Sequence, residues 1–314
     1  MGRALGIVLL MLACTGCNSL IFHPQRDYVL QPDQIGLDYR DVEFTAADGV
    51  RLHGWFLPAR GEHLASLLFL HGNAENISTH IASVAWLPAA GVDVLLFDYR
   101  GYGRSAGEPS LDGLHLDFAA ALAALRAQPQ VDQDRIVILG QSLGGALAIT
   151  ALARSPDRDQ VQALIVEGAF TSYRGLAREK LGDVWLTWPL QAPLSLTIDD
   201  RYRPIDAIAE LAPLPVLVIQ GEADIVVPAH HGRDLYAAAG DPKMLWLLPE
   251  VGHIQAFAST EPRRRLLDYL RNSPPRARQN PRVRPGSRRG RRRRARLGVV
   301  VVGRRQSPAA PARL

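Results

Sequence analysis

The sequence predicts a doubly wound α/β domain on a mostly parallel sheet of about eight strands. Eight short runs rich in β-branched and aromatic residues recur between positions 42 and 248, with helical patterns in most of the gaps. From position 67 onward these runs are apolar throughout rather than alternating, as parallel strands buried on both faces should be. The chain has 314 residues, 47% of them hydrophobic and only 2 of them Cys, which allows a sizeable core and excludes a disulfide scaffold, a collagen or a coiled coil.

Strands are expected at 42–45, 50–57, 67–70, 92–97, 136–139, 163–166, 216–219 and 244–248. The first two flank Ala47-Asp48-Gly49, a hairpin signal, so the sheet should open antiparallel and then become parallel. Helices are expected at 77–87, 111–127, 143–154, 230–239 and 262–270, most of them starting near Ser, Asn or Pro. In such a fold ligands bind outside the carboxyl ends of the strands, so any motif that carries chemistry must follow a strand.

The two ends of the chain are separate from this domain. After Arg3, residues 4–13 are almost entirely apolar, and Cys14-Thr15-Gly16-Cys17 follows. One basic residue and an apolar run this short fit a secretory leader and not a membrane-spanning helix. Small residues before a cysteine resemble the bacterial lipoprotein processing box, which implies cleavage after residue 16 and a lipid on Cys17. Cys14 stands where that box usually has Leu, so processing at Cys14 and plain secretion stay open. Asn18 and Ser19 follow in place of the Asp associated with inner-membrane retention. The implied location is the bacterial cell envelope, on the outer membrane if the source is Gram-negative.

Residues 274–314 hold 14 of the 36 basic side chains and no acidic one, so the rest of the chain has 22 basic against 31 acidic side chains, a net of −9. The overall charge of +5 therefore marks no nucleic-acid surface on the domain. The Arg- and Pro-rich tail is expected to be disordered, either as a polybasic arm for anionic lipid or polysaccharide or as an out-of-frame extension. The expected organisation is a leader over 1–16, a tether over 17–40, a domain over 41–273 with a cap at about 170–204, and the tail.

Gly140-Gln141-Ser142-Leu143-Gly144-Gly145 lies between an apolar strand and an Ala- and Leu-rich helix. A G-x-S-x-G in that context is a nucleophile elbow: the glycines allow close backbone approach while the serine is lifted above the sheet. A serine hydroxyl is a weak nucleophile at neutral pH and needs a base oriented by a carboxylate. Asp224 follows the seventh strand and His253 the eighth, in the chain order Ser, Asp, His expected of this fold. Glu222 is an alternative acid, and His230 and His231 read as exposed or rim residues. The oxyanion needs fixed N–H donors. Leu143, next after the serine, and Asn73 in the loop His71-Gly72-Asn73 supply them through their backbones, with His71 bracing that loop.

Taken with Phe97-Asp98-Tyr99-Arg100-Gly101-Tyr102-Gly103-Arg104-Ser105, these motifs resemble the α/β-hydrolase superfamily over roughly 42–270, in particular its Bem46-like and ABHD12/13-like serine hydrolases. The resemblance implies an α/β-hydrolase fold with a small helical cap, a Ser142-Asp224-His253 triad, oxyanion donors at Asn73 and Leu143, and structural roles for Asp98, Arg100 and Tyr102. It further implies acyl transfer to water on a small-molecule ester, with no metal or organic cofactor. Serine at 142 argues against the dehalogenase and epoxide-hydrolase chemistries, which use an aspartate there. Trp185, Leu186, Trp188, Leu190, Leu194 and Leu196, broken by Pro189 and Pro193, either line an acyl pocket or only pack the cap. A peptidase, a thioesterase and a non-catalytic membrane-tethered binding protein are the alternatives, and oligomeric state has no signal. If Cys17 carries the anchor, Cys17→Ser releases the protein from the membrane fraction; unchanged attachment on flotation rejects the anchor.

Overall fold

The computed structural model describes residues 21–183 and 187–273. The leader, Cys17, the tail, and Trp185 and Leu186 of the cap lie outside the described residues. The main sheet has eight strands: β1 (Arg40–Thr45), β2 (Arg51–Leu57), β3 (Ala65–Leu70), β4 (Val92–Asp98), β5 (Ile136–Gln141), β6 (Ala163–Glu167), β7 (Val216–Gly221) and β8 (Lys243–Leu248). Their spatial order is β8-β7-β6-β5-β3-β4-β2-β1. β1 and β4 each pair antiparallel with β2, and all other neighbours are parallel.

Successive residues of the central strands serve opposite layers, because side chains on a strand alternate between faces. Leu68, Leu70, Ile138 and Val218 belong to one apolar cluster, and Leu67, Phe69, Leu139 and Ile219 to the other. Each such side chain contributes about 1.5–3 kcal/mol on leaving water. The longer helices are α1 (Leu111–Arg126), α2 (Leu143–Arg154), α3 (Tyr173–Gly182), α4 (His230–Ala238) and α5 (Thr260–Asn272). α1, α2 and α4 cover the first face, and α5 covers the second together with the segment 77–87.

That segment departs from the expected single helix. It forms a four-residue helix, Ile77–His80, then a 3-10 turn, Ile81–Ser83, although Ile77, Ile81, Val84 and Leu87 are buried at helical spacing. Ser78, Thr79 and Ser83 are weak helix formers, and Asn76 and Thr79 spend hydrogen bonds locally on the backbone. The cap consists of α3, whose N-cap Ser172 accepts from the Gly175 N–H at 2.9 Å, a 3-10 turn at Trp188–Leu190, and a short helix at Gln191–Ser195.

From Ile21 on, the expected tether is folded onto the domain. Phe22 is buried, His23–Pro24 pairs with Ala74–Glu75, and the Tyr28 hydroxyl donates to the buried Asp98 carboxylate. The Tyr28 ring meets Trp55 edge-on at 5.0 Å. Polar residues hid this packing in the sequence, because it rests on aromatic edges and buried hydrogen bonds.

Arg100 ties three elements together. Its guanidinium bonds the fully buried Asp117 of α1 at 2.8 Å and Asp48, in the turn between β1 and β2, at 2.7 Å, while its backbone N–H donates to Asp117 at 2.9 Å. Arg100→Met leaves the Asp117 carboxyl buried without its cation, so thermal unfolding should show a loss of about 3–5 kcal/mol. A loss below about 1 kcal/mol would reduce the cluster to a surface ion pair.

Candidate active site

Ser142 follows β5 and opens α2 with φ 54° and ψ −116°, a positive φ that a side chain adopts at a cost of about 1–3 kcal/mol. The flanking glycines make the conformation possible. A Cβ on Gly140 would sit 2.4 Å from the Gly144 carbonyl oxygen, and one on Gly144 would sit 2.2 Å from that of Leu70. Only glycine lets α2 approach the ends of β5 and β3 this closely.

Asp224 lies in the turn after β7 and His253 in the loop after β8. The His253 Nδ1 is 2.7 Å from Asp224 Oδ2, and Asp224 Oδ1 accepts the N–H groups of Val226 and Val227, each at 2.8 Å. Burial works against ionisation of Asp224, but the bonds from His253 and from these two N–H groups outweigh it and hold the carboxyl below its ordinary range. The ionised carboxylate requires a proton on Nδ1, which leaves the Nε2 lone pair free to act as a base.

Ser142 and His253 both contact the end of β6. The Ser142 N–H donates to the Glu167 carbonyl at 2.9 Å, and the next residue, Gly168, lies against the His253 ring: a Cβ there would sit 3.2 Å from Nδ1. Gly72 closes the opposite side, where a Cβ would be 3.7 Å from that of Ser142. The Leu143 N–H belongs to the first turn of α2, whose N–H groups have no intrahelical acceptor. Asn73 borders the same cavity, its side chain fixed by the Tyr102 hydroxyl at 2.8 Å, by the His23 N–H at 3.2 Å and by the Ile21 carbonyl. All five expected site residues thus gather at the carboxyl ends of the strands.

The cavity above Ser142 measures about 620 Å³. Phe170, Tyr173, Leu176, Leu181, Leu194 and Ile198 give it an apolar wall, and among the described residues Lys180 is the one lysine, arginine or carboxylate side chain in its lining. Of the cap residues expected to line an acyl pocket, Leu194 does so, whereas Trp188, Leu190 and Leu196 point outward and are exposed. Their spacing followed no single helix, so the sequence could not assign their faces.

The remaining candidates separate cleanly. His71 is fully buried, donates from Nδ1 to the Gly72 carbonyl at 2.7 Å and lies against Tyr99, and burial pushes its pKa well below the ordinary range, so it braces the loop as a neutral ring. Glu222 pairs with Arg233 at the surface. His230 is exposed, but His231 is 1% exposed and not a rim residue: its Nδ1 accepts the Thr171 N–H, and its Nε2 lies 3.3 Å from Glu179. Glu179, His230 and His231 are close enough to share a cation. The donor chemistry does not fit one, because the accepting Nδ1 puts the proton on the His231 Nε2 that a metal would need.

Glu167 was not singled out in the sequence, although a carboxylate ending an apolar parallel strand was a signal. Buried, it accepts from Gln141 Nε2 on one oxygen and from the Ala256 N–H, in the His253 loop, on the other, both at 2.7 Å. Burial raises its pKa despite these bonds. Glu167→Gln turns one acceptor into a donor facing a donor, which costs about 1–3 kcal/mol locally. Turnover by Ser142 should fall with KM little changed, as expected when the histidine loop shifts and the pocket does not; unchanged kcat would rule out the positioning role.

A family model described as serine aminopeptidase, S33 (Hydrolase_4) matches residues 61–201. The uncharacterized protein YfhR of Escherichia coli strain K12 is 36% identical over 257 residues, covering 79% of this chain and 86% of that protein. Protein bem46 of Schizosaccharomyces pombe is 32% identical over 227 residues, covering 69% of this chain and 71% of that one. Among solved structures, the Pyrococcus furiosus esterase Pf2001 superposes with a TM-score of 0.65 at 21% identity, over 80% of this chain and 99% of the esterase. With an elbow serine, an Asp-His pair on successive strand ends, and a likeness to the alpha/beta hydrolase domain-containing protein WAV2 of Arabidopsis thaliana at 35% identity over 74% of this chain and 78% of that one, the chain belongs to the α/β-hydrolase superfamily.

Proposed function

We propose that the protein is a serine hydrolase of carboxylic esters with apolar acyl chains, held at the bacterial envelope by lipid on Cys17. One observation carries the hydrolytic reading: the strained Ser142 lines an apolar cavity of about 620 Å³, and the end of β6 that accepts its N–H also lies against a His253 ring paired with Asp224. His253 Nε2 takes the Ser142 proton as Oγ attacks the ester carbonyl. The N–H groups of Asn73 and Leu143 hold the oxyanion, worth about 2.7–4 kcal/mol per donor in comparable sites. Collapse expels the alcohol with the proton from His253 and leaves an acyl-enzyme, and water deprotonated by the same ring releases the acid.

The likeness to an esterase and the family model's aminopeptidase description point to different leaving groups. An aminopeptidase must hold the substrate's free ammonium group, for which a carboxylate is the natural partner. Among the described residues the cavity lining contains no Asp or Glu and one Lys, which favours the ester. A fluorophosphonate probe should label the wild type and not Ser142→Ala. Across esters of increasing chain length, thioesters and aminoacyl amides, kcat/KM should be highest for esters and fall by at least about 10⁴-fold in Ser142→Ala. Absence of labelling rejects the enzyme reading in favour of a binding protein, and a preference for aminoacyl amides rejects the ester.

A further inference from the structure

The mouth of the cavity is an exposed apolar surface. Nine large apolar side chains are exposed among the described residues, and six of them, Trp188, Leu190, Leu194, Leu196, Ile225 and Val226, belong to the cap or to the loop after Asp224. Leu194 and Val226 are both exposed and part of the lining, which puts them on the rim. Trp188, Leu190 and Leu196 are interspersed along the cap with the lining residues Thr187, Leu194 and Thr197. Ile225 is 85% exposed, and its carbonyl accepts from Lys180 of α3 at 2.8 Å, which joins the two sides of the rim. Residues 184–198 contain no charged side chain at all. A concentration of apolar side chains in one exposed region marks a docking surface and not ordinary solvent-facing protein.

The chain's own course identifies the occupant. Ile21 lines the same cavity, its carbonyl bound by the Asn73 side chain, so the 20 preceding residues join the domain at the mouth. Those residues contain the apolar stretch 4–13 and Cys17. Four residues span at most about 14 Å, so lipid attached to Cys17 lies within that reach of the rim, and an inserted apolar stretch brings the same face to the same place.

We infer that the cavity mouth docks on a phospholipid bilayer, with the cap face around Trp188 and Leu196 and the Ile225 loop seated at the headgroup and acyl boundary. The acyl substrate enters the cavity from that surface as a lipid ester, a step that rests on the ester-hydrolase reading; the docking itself does not. Burial of apolar side chains at the interface supplies the attraction.

The experiment uses the full chain with Cys14 and Cys17 replaced by Ser, and zwitterionic phosphatidylcholine vesicles, so that neither a covalent lipid nor the 14 arginines of the tail dominates. An environment-sensitive fluorophore is attached at Ile225→Cys or at Glu62→Cys, the latter exposed in the loop that leads into the amino end of β3. Docking predicts a blue shift and quenching by nitroxide lipids at 225 and neither at 62. No response at 225, or equal responses at both sites, overturns it. So does a dimer dispersed by Leu196→Glu without any lipid response, which would make a second copy of the chain the occupant. In the second readout, Leu196→Glu with Ile225→Glu, both exposed and outside the cavity lining, should lower turnover of a long-chain ester in the vesicles about tenfold while leaving a soluble short-chain ester unchanged. Equal turnover of the vesicle-borne ester overturns substrate entry from the bilayer. Fluorophosphonate labelling of Ser142 in the same samples separates the two readings: without it the hydrolase reading fails, and the fluorophore alone decides the docking.

Discussion

Close approach of backbone to backbone at the end of β5 is the constraint on which the site depends. Gly140 and Gly144 let α2 come down on the ends of β5 and β3 at distances that any side chain would forbid. That contact holds Ser142 at positive φ, with its hydroxyl above the sheet and the first N–H of α2 beside it. The strain is maintained by the surrounding core, where the strands are buried on both faces and cannot move to relieve it.

The end of β6 links this serine to the Asp224-His253 pair. Glu167 contributes its carbonyl to the Ser142 N–H and its carboxylate to the His253 loop, and Gly168 leaves room for the imidazole. A short stretch of one strand thereby sets the relative position of groups brought from β5, β7 and β8. Tyr102, Asn73 and the segment starting at Ile21 do the corresponding work on the oxyanion side. The segment that starts at Ile21 is therefore part of the cavity wall. This gives a physical reason for the mouth, the cap and any anchored N-terminus to share one face of the molecule.

Much of the fold and of the candidate site was legible because it depends on local signals. Runs of strand length located all eight strands, the central ones by being apolar throughout, since a parallel strand buried on both faces leaves no other pattern. Ser142 was marked by glycines that a tight turn demands, and Asp224 and His253 by their places after strands. The segment at 77–87 was misjudged because helical spacing of buried residues survives without a helical hydrogen-bond ladder. His231 was misplaced because its burial comes from Thr171 and Glu179, about 50–60 positions earlier in the chain.

By itself the sequence determined the sheet, the elbow turn, the candidate residues of the site and the acidic balance of the domain, all of which follow from residue type and short spacing. Tertiary structure alone decided that the segment from Ile21 forms part of the cavity, that Glu167 braces the histidine loop, and that Leu194 borders the cavity while Trp188 and Leu196 lie outside its lining. Those facts depend on contacts between residues far apart in the chain, and on which side of an irregular cap is covered. Local periodicity carries no information about either.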